Sequence, residues 1–110
     1  MKYLGLEPAA LQGEALVESK DYTQARQVLD RAALGAEKLE LWEILSHAQY
    51  SLGNLLRLSG HSADASDHYR QALQYIANMR KDTGSDAFLN RADLKTIYAE
   101  STRWAGSKSQ

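Results

Sequence analysis

Cysteine is absent from the 110-residue sequence, which excludes disulfides and thiolate metal sites and leaves the redox compartment open. Proline occurs once, at Pro8. The only valines and isoleucines are Val17, Val28, Ile44, Ile76 and Ile97, too few for a sheet. Neither sign of charge dominates. With a formal net charge of −1 the chain has no long-range field to gather nucleic acid or an anionic membrane. Divided after Glu43, it carries 8 acidic and 5 basic residues, then 6 acidic and 8 basic, an asymmetry that supports head-to-tail packing at most. No apolar run approaches the roughly 20 residues of a membrane span. The opening Met1-Lys2-Tyr3-Leu4-Gly5 lacks the long apolar stretch of a secretory signal, so a cytoplasmic location is the expectation. A Ser/His/Asp order, a glycine-rich phosphate loop and an HExxH motif are missing too, and the seven glycines are dispersed. Catalysis and a cofactor are not expected.

What is present is helix-forming sequence: alanine, leucine, glutamine, arginine and glutamate. Apolar residues at helical spacing predict a first helix from Glu7 to Ser19 with Leu11, Leu16 and Val17 on one stripe, and Pro8 suits its first turn. After the turn at Lys20-Asp21, a second helix starts near Tyr22 and buries Ala25, Val28, Leu29 and Ala32, with Gly35 in or near its end. A third, Leu41 to Ser59, turns Leu45, Ala48, Leu52, Leu55 and Leu56 inward, with Trp42 a further candidate. Gly60 ends it as a left-handed cap. Ser62 is the expected N-cap of a fourth helix carrying Ala65, Tyr69, Ala72, Leu73 and Ile76 and ending near Lys81. Asp82-Thr83-Gly84-Ser85 reads as a loop. A fifth helix is expected over Asp86 to Ala105, with Leu89, Leu94, Ile97, Tyr98 and Trp104, before a frayed tail from Gly106 to Gln110.

The sequence also repeats. The intervals that lead from Gly53 to Ala65, Tyr69 and Ala72 are the same as those from Gly13 to Ala25, Leu29 and Ala32. From Gly13 to Gly53, one unit thus spans about 40 residues, within the range of helical repeats. A mid-helix glycine costs roughly 1 kcal/mol against alanine, and close approach of a partner helix is the usual compensation. Small, large and small residues at these offsets describe antiparallel helix pairs in tight contact. In the second unit Leu52-Gly53, Leu56, Gly60, Ala65, Tyr69 and Ala72-Leu73 resemble the tetratricopeptide repeat, W-x-x-L-G-x-x-Y followed by A-x-x-x-F-x-x-A. Gln49 stands at the tryptophan place, and Ala77 where the closing proline would fall. Gln12-Gly13, Leu16, Asp21-Tyr22, Ala25, Leu29 and Ala32 match less fully. The long spacing looks like the long-helix variants found in kinesin light chains and bacterial signalling proteins.

The resemblance implies an all-α fold: antiparallel helix hairpins stacked as a short right-handed superhelix, with units near 6–40 and 41–81 and a capping helix near 86–105. It also implies a protein or peptide partner held on a concave face made by the first helix of each pair. By family position that face takes Ala10, Glu14 and Val17 from the first unit and His47, Tyr50, Asn54, Arg57 and Leu58 from the second. Family members hold a backbone amide with the asparagine at the place of Asn54. The carboxylate clamp of chaperone-binding members is not expected, since Ala10 and Glu14 occupy its places here. Two alternatives stay open: self-association, a homodimer included, and a fragment of a larger bacterial regulator or enzyme. His61, Asp64 and His68 have metal-like spacing but fall at exposed repeat positions, so no metal is expected. Glu18, Asp21 and Tyr22 fit a turn better than an acid–base pair. Arg80-Lys81, Arg91, Lys95 and Arg103 are too sparse a basic group for nucleic acid, and Trp42 and Trp104 are expected in core or capping contacts.

Overall fold

Five α-helices make up the computed structural model, which describes residues 6–106: α1 Leu6–Glu18, α2 Tyr22–Lys38, α3 Trp42–Leu58, α4 Ser62–Thr83 and α5 Ala92–Ala105. A 3₁₀ turn, Ala87–Asn90, precedes α5, and no strand occurs among the described residues. The chain is therefore all-α. The opening Met1 to Gly5 and most of the tail expected to fray, 107–110, lie outside the described residues.

The first three turns share one construction. Lys20, Glu40 and Gly60, evenly spaced along the chain, have positive φ of 67°, 53° and 89°. Each follows a helix and donates its N–H three residues back, to Val17, Glu37 and Arg57. The next residue (Asp21, Leu41 or His61) donates five back, to Leu16, Ala36 and Leu56. This left-handed cap satisfies helix-end carbonyls that would otherwise be orphaned. Only Gly60 has the residue type that takes the conformation without steric cost. So short a connection makes consecutive helices antiparallel neighbours.

The repeated glycine has a direct physical counterpart. A Cβ on Gly13 would stand 2.5 Å from Leu29 Cγ and Cδ2, and one on Gly53 would stand 2.7 Å from Tyr69 Cε1. The large residue thus lies directly against the glycine of the preceding helix. Ala25, Leu29, Ala48, Leu52, Leu55, Ala65 and Tyr69 join in one core cluster, with Val17 from α1. Ala10, Ala32, Ala36, Ile44 and Leu45 form a second, and Ala72, Ile76, Leu94 and Ile97 a third under α5.

Several local expectations are corrected. Leu11 is 53% exposed and Tyr98 39%, and Val28 and Leu73 are only partly buried. Ser62 is not the cap of α4. His61 holds that place with no side-chain cap bond, because the turn at Gly60 fixes where the helix begins. Asp82 and Thr83 belong to α4, which runs on past Lys81 before Gly84 ends it at φ 69°. The expected fifth helix is in two pieces: Arg91, with φ −69° and ψ 135°, interrupts it and is the cap residue of α5. Trp42 lies flat on Tyr75, with ring centroids 5.9 Å apart, and its Nε1–H donates to Asp82 at 2.8 Å.

Candidate partner-binding groove

Helices α1, α3 and α5 enclose a groove of about 420 Å³ lined by Glu14, Val17 and Glu18, by His47, Tyr50, Ser51 and Asn54, and by Ala92, Asp93, Thr96 and Ile97. A smaller hollow of about 220 Å³ adjoins it, sharing His47 and Asp93 and lined also by Ala10, Leu11, Glu43, Ile44 and Arg91. On α3 the lining residues fall at intervals of three, one and three, which keeps them on one helical face.

A polar chain crosses between the two hollows. Glu43 Oε1 accepts from Arg91 Nη1 at 2.8 Å. Arg91 Nη2 and Nε donate to the two oxygens of Asp93 at 2.7 and 3.1 Å. Asp93 Oδ2 then meets His47 Nε2 at 2.9 Å, and His47 Nδ1 lies 3.9 Å from Glu14 Oε2. The chain links α1 and α3 to the start of α5. Burial alone would raise the Asp93 carboxyl. Hydrogen bonds from Arg91, His47 and the Leu94 N–H outweigh it and hold the group at about 2. Arg91 is pushed upward by its bonds to Glu43 and Asp93.

Beside the groove, Tyr69 is fully buried with both hydrogen-bonding capacities of its hydroxyl used. It donates to Asn54 Oδ1 at 2.6 Å and accepts from Arg57 Nε at 3.0 Å. Burial raises the Tyr69 hydroxyl, partly offset by Arg57. The Arg57 guanidinium also stacks over Trp104, 4.4 Å from the ring centroid. Tyr50 leans on Tyr69 at 6.1 Å between centroids. Its hydroxyl is raised by burial, against the lowering effect of a bond to Asn54.

Of the residues expected on the concave face, Glu14, Val17, His47, Tyr50 and Asn54 share the groove lining. Arg57 does not: it joins α3 to Tyr69 of α4 and Trp104 of α5. Ala10 is buried with Ala36, Ile44 and Leu45 and reaches only the smaller hollow, while Leu58 is exposed and lines neither. Glu18, Ser51 and the four α5 residues were not expected. Glu18 lies one turn after Glu14 and Ser51 one turn after His47, so helical spacing carried a signal for both. His68 was expected at the surface. It is instead half-buried, with Nδ1 2.6 Å from the oxygen of buried Gln49, at the repeat's tryptophan place, and burial first and Arg26 second lower its pKa. In the loose basic group, Arg80 pairs with Asp86, Arg91 with Glu43 and Asp93, and Arg103 stacks on Trp104.

The tetratricopeptide-repeat family model matches residues 7–76, well over half of the chain. The chain belongs to the tetratricopeptide-repeat family. No curated protein and no solved structure gives a significant match. Repeats of this family generally mediate protein–protein interaction and are typically non-catalytic. Among the described residues no helix is long and apolar enough to cross a membrane.

Proposed function

We propose that this chain is a cytoplasmic protein-interaction module that holds a segment of a partner protein in the α1/α3/α5 groove and performs no catalysis of its own. In this reading, units 6–40 and 41–81 stack as a short right-handed superhelix of the long-repeat kind, and the segment near 86–105 closes its end. One observation carries the proposal. Glu14, Val17, His47, Tyr50 and Asn54, residues from the first helix of each pair, line a single groove large enough for several side chains. The groove combines an aromatic ring, an amide and carboxylates, groups that bind peptides by stacking, backbone hydrogen bonding and charge pairing.

The test selects displayed random peptides on the folded chain and titrates the enriched ones into isotopically labelled protein. Chemical-shift changes are expected at Glu14, Val17, Tyr50, Asn54 and Thr96. Thr96→Trp, at an exposed lining position, should fill the groove and weaken binding while leaving the melting temperature unchanged. Shift changes confined to the outer faces of α2 and α4, or an unaltered Kd in Thr96→Trp, would refute the assignment.

A further inference from the structure

Charge in the groove is one-sided. Glu14 and Glu18 stand one turn apart on α1, a spacing at which like charges repel, and both line the groove. The third carboxylate, Asp93, is already held by Arg91 and His47. Among the described residues, Glu14 has only His47 as an ion-pairing neighbour, at 3.9 Å, and no cation stands within ion-pairing distance of Glu18. Tyr50 lines the same groove. A second feature is independent of charge: Ser51 lines the same groove, is 1% exposed, and has an Oγ with no hydrogen-bond partner among the described residues. A buried hydroxyl left unmatched costs free energy unless something outside the chain meets it.

We infer that the partner segment is basic: a lysine or arginine side chain enters beside Glu14, Glu18 and Tyr50, and a polar group of the same segment meets Ser51 Oγ as the hydroxyl turns toward the groove. Carboxylates beside an aromatic face are complementary to an ammonium or guanidinium, by ion pairing on one side and cation–π attraction on the other. An acidic segment would instead meet two carboxylates of its own sign. The inference rests on the groove being the partner site and adds the chemistry of the occupant.

The experiment compares groove-binding peptides from the selection with variants in which each arginine is replaced by citrulline, which keeps shape and removes charge. Binding is read by fluorescence anisotropy at low and moderate salt. Wild type is compared with Glu14→Gln/Glu18→Gln, with Glu14→Lys/Glu18→Lys, and with Glu37→Gln as a control outside the groove. Selected peptides should be rich in lysine and arginine and should weaken with salt and on citrulline replacement. They should lose about tenfold in the double glutamine variant, as expected for two partly exposed ion pairs, and nothing in Glu37→Gln. The double lysine variant should prefer acidic peptides. If groove-bound peptides, blocked by Thr96→Trp, prove neutral or acidic and bind Glu14→Gln/Glu18→Gln as tightly as wild type, the inference is overturned and the groove assignment stands. Peptides indifferent to Thr96→Trp would overturn both.

Discussion

Replacing Gly53 by alanine sets two effects of opposite sign against each other. Alanine in a helix interior is favoured over glycine by about 1 kcal/mol, so propensity alone would raise stability. The new methyl, however, would lie 2.7 Å from Tyr69 Cε1 and 2.9 Å from Cδ1 and Cζ. Carbon atoms in good contact are about 3.5–4.0 Å apart, so the ring or the helix must move. The ring is poorly placed to do so: it is enclosed on all sides, and its hydroxyl is fixed by Asn54 and Arg57. Overpacking of this kind costs roughly 1–3 kcal/mol, and a constrained ring puts Gly53→Ala toward the upper end. The net expectation is a loss of about 1–2 kcal/mol, or a fall in Tm of roughly 5–10 °C for a domain of this size. Thermal melts followed by far-UV circular dichroism measure it. A double-mutant cycle with Tyr69→Leu should show favourable coupling, because that change removes the atoms that clash. A Gly53→Ala protein as stable as wild type, or more so, would refute the close-approach account of the repeated glycine.

Two further predictions concern stability. Lys20→Gly and Glu40→Gly should each stabilise the chain by about 0.5–1 kcal/mol in urea unfolding, since both residues occupy a left-handed conformation that is nearly free only for glycine; no gain at either would mean that local contacts offset the strain. His68 should make stability fall with acid. Its pKa is lowered in the folded protein by burial and then by Arg26, against Asp30, Asp67 and Asp64, so the unfolded chain binds the proton first. The contribution is fully present above the ordinary value of 6.5 and is lost as pH falls below it, so urea midpoints should drop over that window in wild type more than in His68→Gln. Parallel profiles would contradict the prediction.

The repeat was legible because tight contact leaves a compositional mark: Gly13 and Gly53 stand where no side chain fits, and Leu29 and Tyr69 follow them at one and the same interval. The turn at Glu40 left no such mark. Leu39-Glu40-Leu41 contains neither glycine nor proline, yet Glu40 takes a positive φ there and the Leu41 N–H closes the turn onto the Ala36 carbonyl. The break before α5 was hidden for the same reason, since no proline stands between Asp86 and Arg91 to forbid a continuous helix. At the groove, Glu14, Val17, His47, Tyr50 and Asn54 followed from family position. The lining residues of α5 did not, because a helix read as a cover gave no reason to look at its other face. Arg57 does not reach the groove lining. It shares a helical face with Tyr50, seven residues before it, but stands two turns further along α3, where its guanidinium meets Tyr69 and Trp104.

One wall of the groove is the last helix of the described chain. The α5 segment is held by Leu94 and Ile97 in the third core cluster, by the Asp93–His47 contact, and by the Ser66 hydroxyl donating to the Trp104 carbonyl at 3.2 Å. Of α5 only Leu94, Ile97 and Ser101 are buried, against ten residues of α3, and elements with few buried contacts open at lower free energy. A segment seated against Asp93, Thr96 and Ile97 would oppose that opening, and by reciprocity whatever steadies α5 would tighten the grip on the segment. Occupancy would then be written into the amide exchange of α5: slower when the groove is filled, faster when it is empty, with the ratio set by the free segment concentration relative to its Kd.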